Sequence, residues 1–520
     1  MISFGTTALA ILFAVPSASF TLPSAQRVRV RVSESSSRSN AFSDLETQDE
    51  ATSMEETTTS TSDYDPSDLM LGLLKETYPG DDCGSVDVES EQSTVDIVRD
   101  LDGNPLSKEY FAEKMGITNV ESYTCPEEDA FHGLMSNGCR VHLVPGGETA
   151  FYKHVVFEHL GHAQEKLKNA PHKLIRDAKS YQVVASFLLS KACQTMTEKT
   201  GVRIPKCYDA KLEPNHSNPM ESKFSFLFED YAPSDGWYQQ WLLQDIEGCE
   251  AAISTFAKIH AFFWDGSEFW NDTDAARELE AGVWKSGSYV QPKAQGSDQC
   301  KNVAKEWATK RMKFEKELSS FDYWDNLGER LESIAEECGR IAHPFADDTL
   351  SEQYKKYRTF THGDPKQANL LFRSSTESKL EVGLIDFQWA GFGLAASDFA
   401  HFITAAVHAD MLVDGGEEIL QRYYFDELQK YLVEFGAFDT VDDAIQNYSY
   451  DTFIDQYETA VLDICRLMIA YTWSRFTEPV EKDDEAGCAR TMNKTSYNKS
   501  IPNVVWLMGR CDEIMKSRGV

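Results

Sequence analysis

The tightest constraint in this chain is a pair of motifs at fixed spacing. Phe360-Thr361-His362-Gly363-Asp364-Pro365-Lys366-Gln367-Ala368-Asn369-Leu370-Leu371-Phe372 is followed by Glu381-Val382-Gly383-Leu384-Ile385-Asp386-Phe387-Gln388. Apolar residues on both sides of a polar loop predict a strand, a tight loop, a second strand and a third strand ending at Asp386. Asn369 stands five residues after Asp364, and Asp386 seventeen after Asn369, so a hairpin returns Asp386 to the mouth of the loop. A carboxylate that orients and deprotonates a hydroxyl, beside oxygen ligands for a divalent cation, is what phosphoryl transfer asks of a protein. Asp364 is the candidate base, and Asn369 and Asp386 are the candidate Mg2+ ligands. Lys366 is placed either to neutralise a moving phosphoryl group or to stand as a solvated surface lysine. His362 is expected to hold the loop, bonding backbone or Asp386, rather than to exchange protons in the reaction.

With Ser397-Asp398-Phe399-Ala400-His401-Phe402 downstream, these motifs resemble the aminoglycoside phosphotransferase and choline kinase superfamily, and within it the ecdysteroid kinase-like (CHK kinase-like) family. Three further segments match in order. Gly138-Cys139-Arg140-Val141 to Phe151-Tyr152-Lys153-His154-Val155 resembles the first hairpin, with Lys153 as the strand lysine that grips the α- and β-phosphates. Phe226-Leu227-Phe228-Glu229-Asp230-Tyr231 resembles the strand running into the interlobe hinge, which makes Glu229 and Asp230 the residues where backbone would meet adenine. Phe256-Ala257-Lys258-Ile259-His260-Ala261-Phe262-Phe263-Trp264 resembles the helix that opens the large lobe; His260 and Trp264, one turn apart, are expected to pack. Asp398 matches the aspartate that braces the catalytic loop through backbone amides.

The resemblance spans about residues 125 to 480. It implies a bilobal, protein-kinase-like α+β fold with a small antiparallel-sheet lobe and a mainly helical lobe, ATP between them and Mg2+ on the phosphates. The activity it implies is transfer of a γ-phosphoryl group to the hydroxyl of a small-molecule acceptor. Protein substrates fit less well, because no Ala-Pro-Glu element follows Asp386 and the chain goes from Gln388 to Asp398 in ten residues. One position departs from the pattern: the glutamate that pairs with the strand lysine would fall at about Val184, with Glu158 or Glu165 as substitutes. That loss keeps open an alternative, a nucleotide-binding pseudokinase or scaffold. The loop Leu134-Met135-Ser136-Asn137-Gly138 lacks GxGxxG, so phosphate cover and a plain turn serve equally well.

With 84 acidic against 50 basic residues the net charge is −34, a field that repels nucleic-acid backbones and anionic lipid surfaces. The longest apolar run, Ala8 to Val15, falls short of the roughly 20 residues of a bilayer span. A small-molecule partner is therefore expected, with neither nucleic acid nor an integral membrane segment. Oligomeric state is not encoded in any feature of the chain. The 11 cysteines include no CxxC pair; free, buried thiols are expected rather than a zinc site or a disulfide framework.

Composition divides the chain. Residues 1–43 read as a leader, with an uncharged apolar start, small residues before Phe20, then Arg27, Arg29, Arg31 and a Ser-rich stretch. This resembles the two-part plastid leader of algae with secondary plastids; the secretory pathway or the cytoplasm are the alternative destinations. Residues 44–110 read as an acidic disordered linker with short helices, 111–232 as the sheet lobe and 233–520 as the helical lobe. Amphipathic helices are expected around Lys173 to Ala192, Trp307 to Cys338, Ile419 to Phe435 and Tyr457 to Trp473.

Overall fold

The computed structural model describes residues 98–126, 129–132, 135–374, 380–475 and 500–520. The leader, and the acidic stretch up to residue 97, lie outside them.

A Pro-Gly-Gly turn at 145–147, with Gly147 at φ +77°, folds the first hairpin back on itself, as glycine allows. The small lobe comprises α1 (Lys108–Met115), β1 (Ser122–Thr124), β2 (Ala130–His132), β3 (Asn137–Val144), β4 (Thr149–Val156), α2 (Gly161–Asn169), α3 (Pro171–Leu188), α4 (Lys191–Thr200), β5 (Cys207–Glu213) and β6 (Lys223–Glu229). The strands pair antiparallel in the order β1-β3-β4-β6-β5, with β2 also on β3. Side chains alternate between faces, so both faces of the sheet are covered. Val155, Phe224 and Phe226 pack with Leu174, Ala178, Tyr181 and Val184 of α3. Val141, Leu143, Tyr152 and Leu227 pack with Phe111 of α1 and with Val98. Packing of this lobe thus extends N-terminal to residue 111.

Lys153 lies on β4, the middle strand, opposite Gly138 on β3 and Phe226 on β6. It shares the face of Val155, and therefore points toward α3. The helix expected from Lys173 to Ala192 is two helices, because Ser190 breaks the run and caps the second by accepting the Cys193 N–H at 3.1 Å.

The large lobe opens with α5 (Ile246–Phe262), capped by Asp245, and includes α6 (Val303–Lys310) and α7 (Leu327–Ala342). The single segment expected from Trp307 to Cys338 is interrupted at Ser319-Ser320-Phe321-Asp322, where hydroxyl and carboxylate side chains compete for backbone groups. Two short antiparallel pairs follow: β7 (Arg358–Thr361) with β10 (Gly391–Leu394), and β8 (Leu370–Ser374) with β9 (Leu380–Leu384). β10 runs directly into α8 (Ala395–Ala406), after which α9 (Gly416–Glu434), α10 (Tyr450–Ala470) and α11 (Ile501–Ser517) complete the lobe around one large core. The architecture is the bilobal α+β arrangement of a kinase-like fold. Among the described residues no helix is long and apolar enough to cross a membrane, and the nine described cysteines are free, eight of them buried.

Candidate active site

β7 ends at Thr361, and the chain turns sharply through Gly363. Its φ is +79°, and a Cβ there would lie 2.2 Å from the Trp389 carbonyl oxygen, so no other residue fits. Asp398, in the first turn of α8, accepts the His362 and Gly363 amides at 2.9 Å each, and His260 Nε2 at 3.3 Å. His260 Nδ1 meets the Tyr424 hydroxyl at 2.7 Å, so the packing role expected of this histidine includes a polar one. Burial opposes the Asp398 charge, yet His260, His362 and the Gly363 amide outweigh it and hold the carboxyl below its ordinary range. His362 Nε2 donates to the Ile385 carbonyl at 2.9 Å while its Nδ1 accepts the Asp364 amide at 3.3 Å. Of the two partners expected for His362, the ring takes backbone. The Ile385 amide donates to the Asn369 carbonyl at 3.1 Å, which sets Asp386 beside Asn369 and locks the two loops together.

Asp364 is 4% exposed. Lys366 Nζ bonds its Oδ2 at 2.7 Å, and His401 Nε2 stands 3.6 Å from its Oδ1. Lys366 is thus an inward lysine. Burial works against its charge, but Asp364 and Asp386 prevail and raise its pKa. Asn369 donates its amide nitrogen to the Asp364 carbonyl at 2.8 Å, so the amide oxygen is the atom that could serve a cation.

Asp386 has φ +67°, a conformation that is uncommon outside glycine and marks a site held by its surroundings. Its Oδ1 is buried without a hydrogen-bond partner and lies 3.6 Å from Lys153 Nζ. Burial pushes this carboxyl up, and Lys153, Lys366 and His362 more than reverse the shift. A buried carboxylate oxygen without a hydrogen-bond donor, on a loop tied by its neighbour's amide to the Asn369 backbone, fits a hard divalent cation. Among the described residues no three His, Cys, Asp or Glu side chains form a metal-binding group.

The hinge residues are engaged through their side chains. Glu229 meets Arg203 at 3.3 Å and the Lys206 amide at 3.1 Å. Asp230 pairs with Arg140, which also meets Asp129 at 2.9 Å. Any role of Glu229 and Asp230 toward adenine therefore falls to their backbones. Val184 is buried in the apolar cluster under the sheet, and Glu158 and Glu165 are exposed; Lys153 meets the carboxylate of Asp386. The buried carboxylate of α3 is Asp177, two turns before Val184, and it binds Lys166 at 2.6 Å and Arg176 at 2.7 Å.

Three features escaped the sequence reading. His401 reaches Asp364; it follows Asp398 by one turn, a spacing that put it on the same face. Tyr181 touches Lys153. A strap at residues 284–289 crosses both loops, with the Tyr289 amide on the Gly363 carbonyl at 2.8 Å, the Gly287 amide on the Phe392 carbonyl at 2.8 Å and Trp284 Nε1 on the Gln388 carbonyl at 2.8 Å. The strap joins residues more than seventy apart in sequence, and no local pattern announces it.

The sequence profile of the ecdysteroid kinase-like family matches residues 176–437, slightly more than half of the chain, including the loops that carry Asp364 and Asp386. The chain belongs to the ecdysteroid kinase-like family. Lys153 lies N-terminal to the matched residues. Solved structures similar to this member include an ethanolamine kinase of Plasmodium vivax at 10% identity and TM-score 0.34, covering 74% of this chain and 84% of that one. An aminoglycoside phosphotransferase of Alicyclobacillus acidocaldarius is similar at 13% identity and TM-score 0.33, covering 74% and 92%. An amicoumacin kinase in complex with AMP-PNP, Ca2+ and amicoumacin is similar at 10% identity and TM-score 0.33, covering 75% and 93%. No curated protein matches the sequence.

Proposed function

We propose that the protein is an ATP- and Mg2+-dependent kinase that transfers the γ-phosphoryl group to a hydroxyl of a small-molecule alcohol. One observation carries the reading: two loops of the large lobe gather Asp364, Lys366, Asn369 and Asp386, and Lys153 of the small lobe reaches the same place, 3.6 Å from Asp386.

Asp364 would orient the acceptor hydroxyl and take its proton as the new O–P bond forms and the bond from the γ-phosphorus to the ADP oxygen breaks. Lys366, already on Asp364 Oδ2, would offset the charge gathering there. Asp386 Oδ1 and the Asn369 amide oxygen would hold Mg2+, which supplies charge neutralisation on the phosphates. Lys153 would hold the α- and β-phosphates, and the backbone after β6 would meet adenine. The stretch from Gln388 to Asp398 is filled by β10 and the start of α8, so it offers no extended activation segment. That favours a small acceptor over a protein one.

Mg·ATP turnover by the full chain against pooled small alcohols and amino alcohols, beside Asp364→Asn, tests the reading. The expected result is ADP release that requires an acceptor and is lost in the variant. Nucleotide binding without turnover on any acceptor would shift the assignment to a nucleotide-binding module.

A further inference from the structure

The lysine that would grip the phosphates projects from the middle strand toward α3, where the family pattern would place its carboxylate partner at about Val184. That position is filled by an apolar side chain, in contact with the sheet. One turn earlier on the same helix face stands Tyr181, 1% exposed. Its ring packs on Phe224 with centroids 5.1 Å apart, and the Lys153 ammonium lies 5.6 Å from its centroid. Its hydroxyl donates to the Met135 carbonyl at 2.7 Å. Met135 lies two residues before β3 begins at Asn137, and Gly138 on that strand is the register partner of Lys153.

A single side chain therefore touches both halves of the hairpin, the ring beneath Lys153 and the hydroxyl at the turn into β3. A cation within about 6 Å of an aromatic face is attracted by the ring quadrupole, most strongly where water is excluded. We propose that Tyr181 is the positioning residue for Lys153 in this protein: its π-face does what a carboxylate on the helix would otherwise do, and its hydroxyl fixes the backbone entering β3. A ring suits this place because α3 lies against Val155, Phe224 and Phe226, where a carboxylate without a fixed partner is costly. A neutral partner also leaves the full charge of Lys153 for phosphate and for Asp386.

The inference rests on the proposed nucleotide site, so the test reads nucleotide binding and not turnover. Calorimetric titration of the full chain with Mg·ADP would compare Tyr181→Phe, which keeps the ring, with Tyr181→Leu, which removes it, each alone and combined with Lys153→Met. The step from Phe to Leu at position 181 should weaken binding about tenfold when Lys153 is present and less than twofold when it is Met. The step from Tyr to Phe should cost about threefold in both backgrounds, since it acts through Met135. An equal Phe-to-Leu step in both backgrounds overturns the proposal. Should Tyr181→Leu fail to fold, trifluorophenylalanine at position 181 keeps the ring's shape and removes its negative face; binding equal to that of Tyr181→Phe then overturns it. A parent chain that binds no Mg·ADP overturns the nucleotide site and this inference together, whereas binding with additive substitutions overturns this inference alone.

Discussion

The Asp364 and Asp386 loops and the lysine side of the site hold their charges in opposite ways. Between β7 and α8 the groups that brace the loops are fixed by directional hydrogen bonds: Asp398 takes two amides, His362 bridges to Ile385, and the Ile385 amide closes on Asn369. Hydrogen bonds to a buried charge contribute roughly 1.5–3 kcal/mol each. On the other side, Lys153 rides on a strand amid aromatic side chains, with Tyr181 beneath it and Asp386 at 3.6 Å. A cation over a ring is worth about 0.5–2 kcal/mol. The loops are thus preorganised before any ligand arrives, while the lysine's aim depends on how one helix packs on one sheet.

The largest break in that comparison is Asp364→Asn. Removing a general base typically costs about 10²–10⁴ in kcat, and the predicted outcome is a loss of that size with Mg·ADP affinity within about threefold, since nothing on the lysine side changes. Titration calorimetry and steady-state assay read the two halves separately. Next comes Asp398→Ala, which strands two buried amides and the His260 ring. A loss of about 3–5 kcal/mol in unfolding free energy is expected by urea titration, in the range for removing one member of a buried charged network. A cost below about 1 kcal/mol would mean that the strap at residues 284–289 alone holds the loop.

This division also explains what could be read beforehand. The loop residues are legible because their partners are near in sequence: Asp364 with Lys366, Asn369 with Asp364, and Asp386 returned by one hairpin, so spacing alone placed them together. Asp398 and its amides followed from the resemblance. Lys153 was legible as a strand residue between apolar neighbours, but its partner was not. The resemblance showed that the expected glutamate is missing at Val184 but not what replaces it, because α3 turns Val184 and Tyr181 into the cluster beneath the sheet, a fact of tertiary packing. Lys366 stood open between a surface and a site role because exposure is no property of spacing; the structure turns it inward onto Asp364.

Val184→Glu sharpens the comparison by forcing the missing carboxylate onto the lysine side. Burying a carboxylate among Val155, Phe224 and Phe226 should cost about 2–3 kcal/mol of stability. No gain in Mg·ADP affinity is expected, because the ring already supports Lys153. Tighter binding in this variant would show that the lysine lacks a support that a carboxylate supplies, and would set aside the role given to Tyr181.

The smallest effect concerns pH, where the loop side again has the specific signature. Burial takes the His401 pKa down to about 4 from an ordinary 6.5, against the pull of Asp364 and Asp398 and with Lys366 and His362 adding to the fall. Between those values the unfolded chain binds a proton that the folded chain refuses, so unfolding free energy falls as pH drops from 6.5 toward 4, by about 2–3 kcal/mol in full. The depressed carboxyls Asp386 and Asp398 act in another window, losing their contribution only as pH falls below their ordinary 3.8. His154, half-buried and lowered in the same direction by desolvation, adds to the slope of any variant that retains it. The difference between the parent chain and His401→Asn in urea titrations at pH 6.5, 5.5 and 4.5 therefore isolates His401. The variant should lose less stability across that range, and parallel curves would mean that the ring beside Asp364 accepts a proton in the folded protein as readily as in the unfolded one.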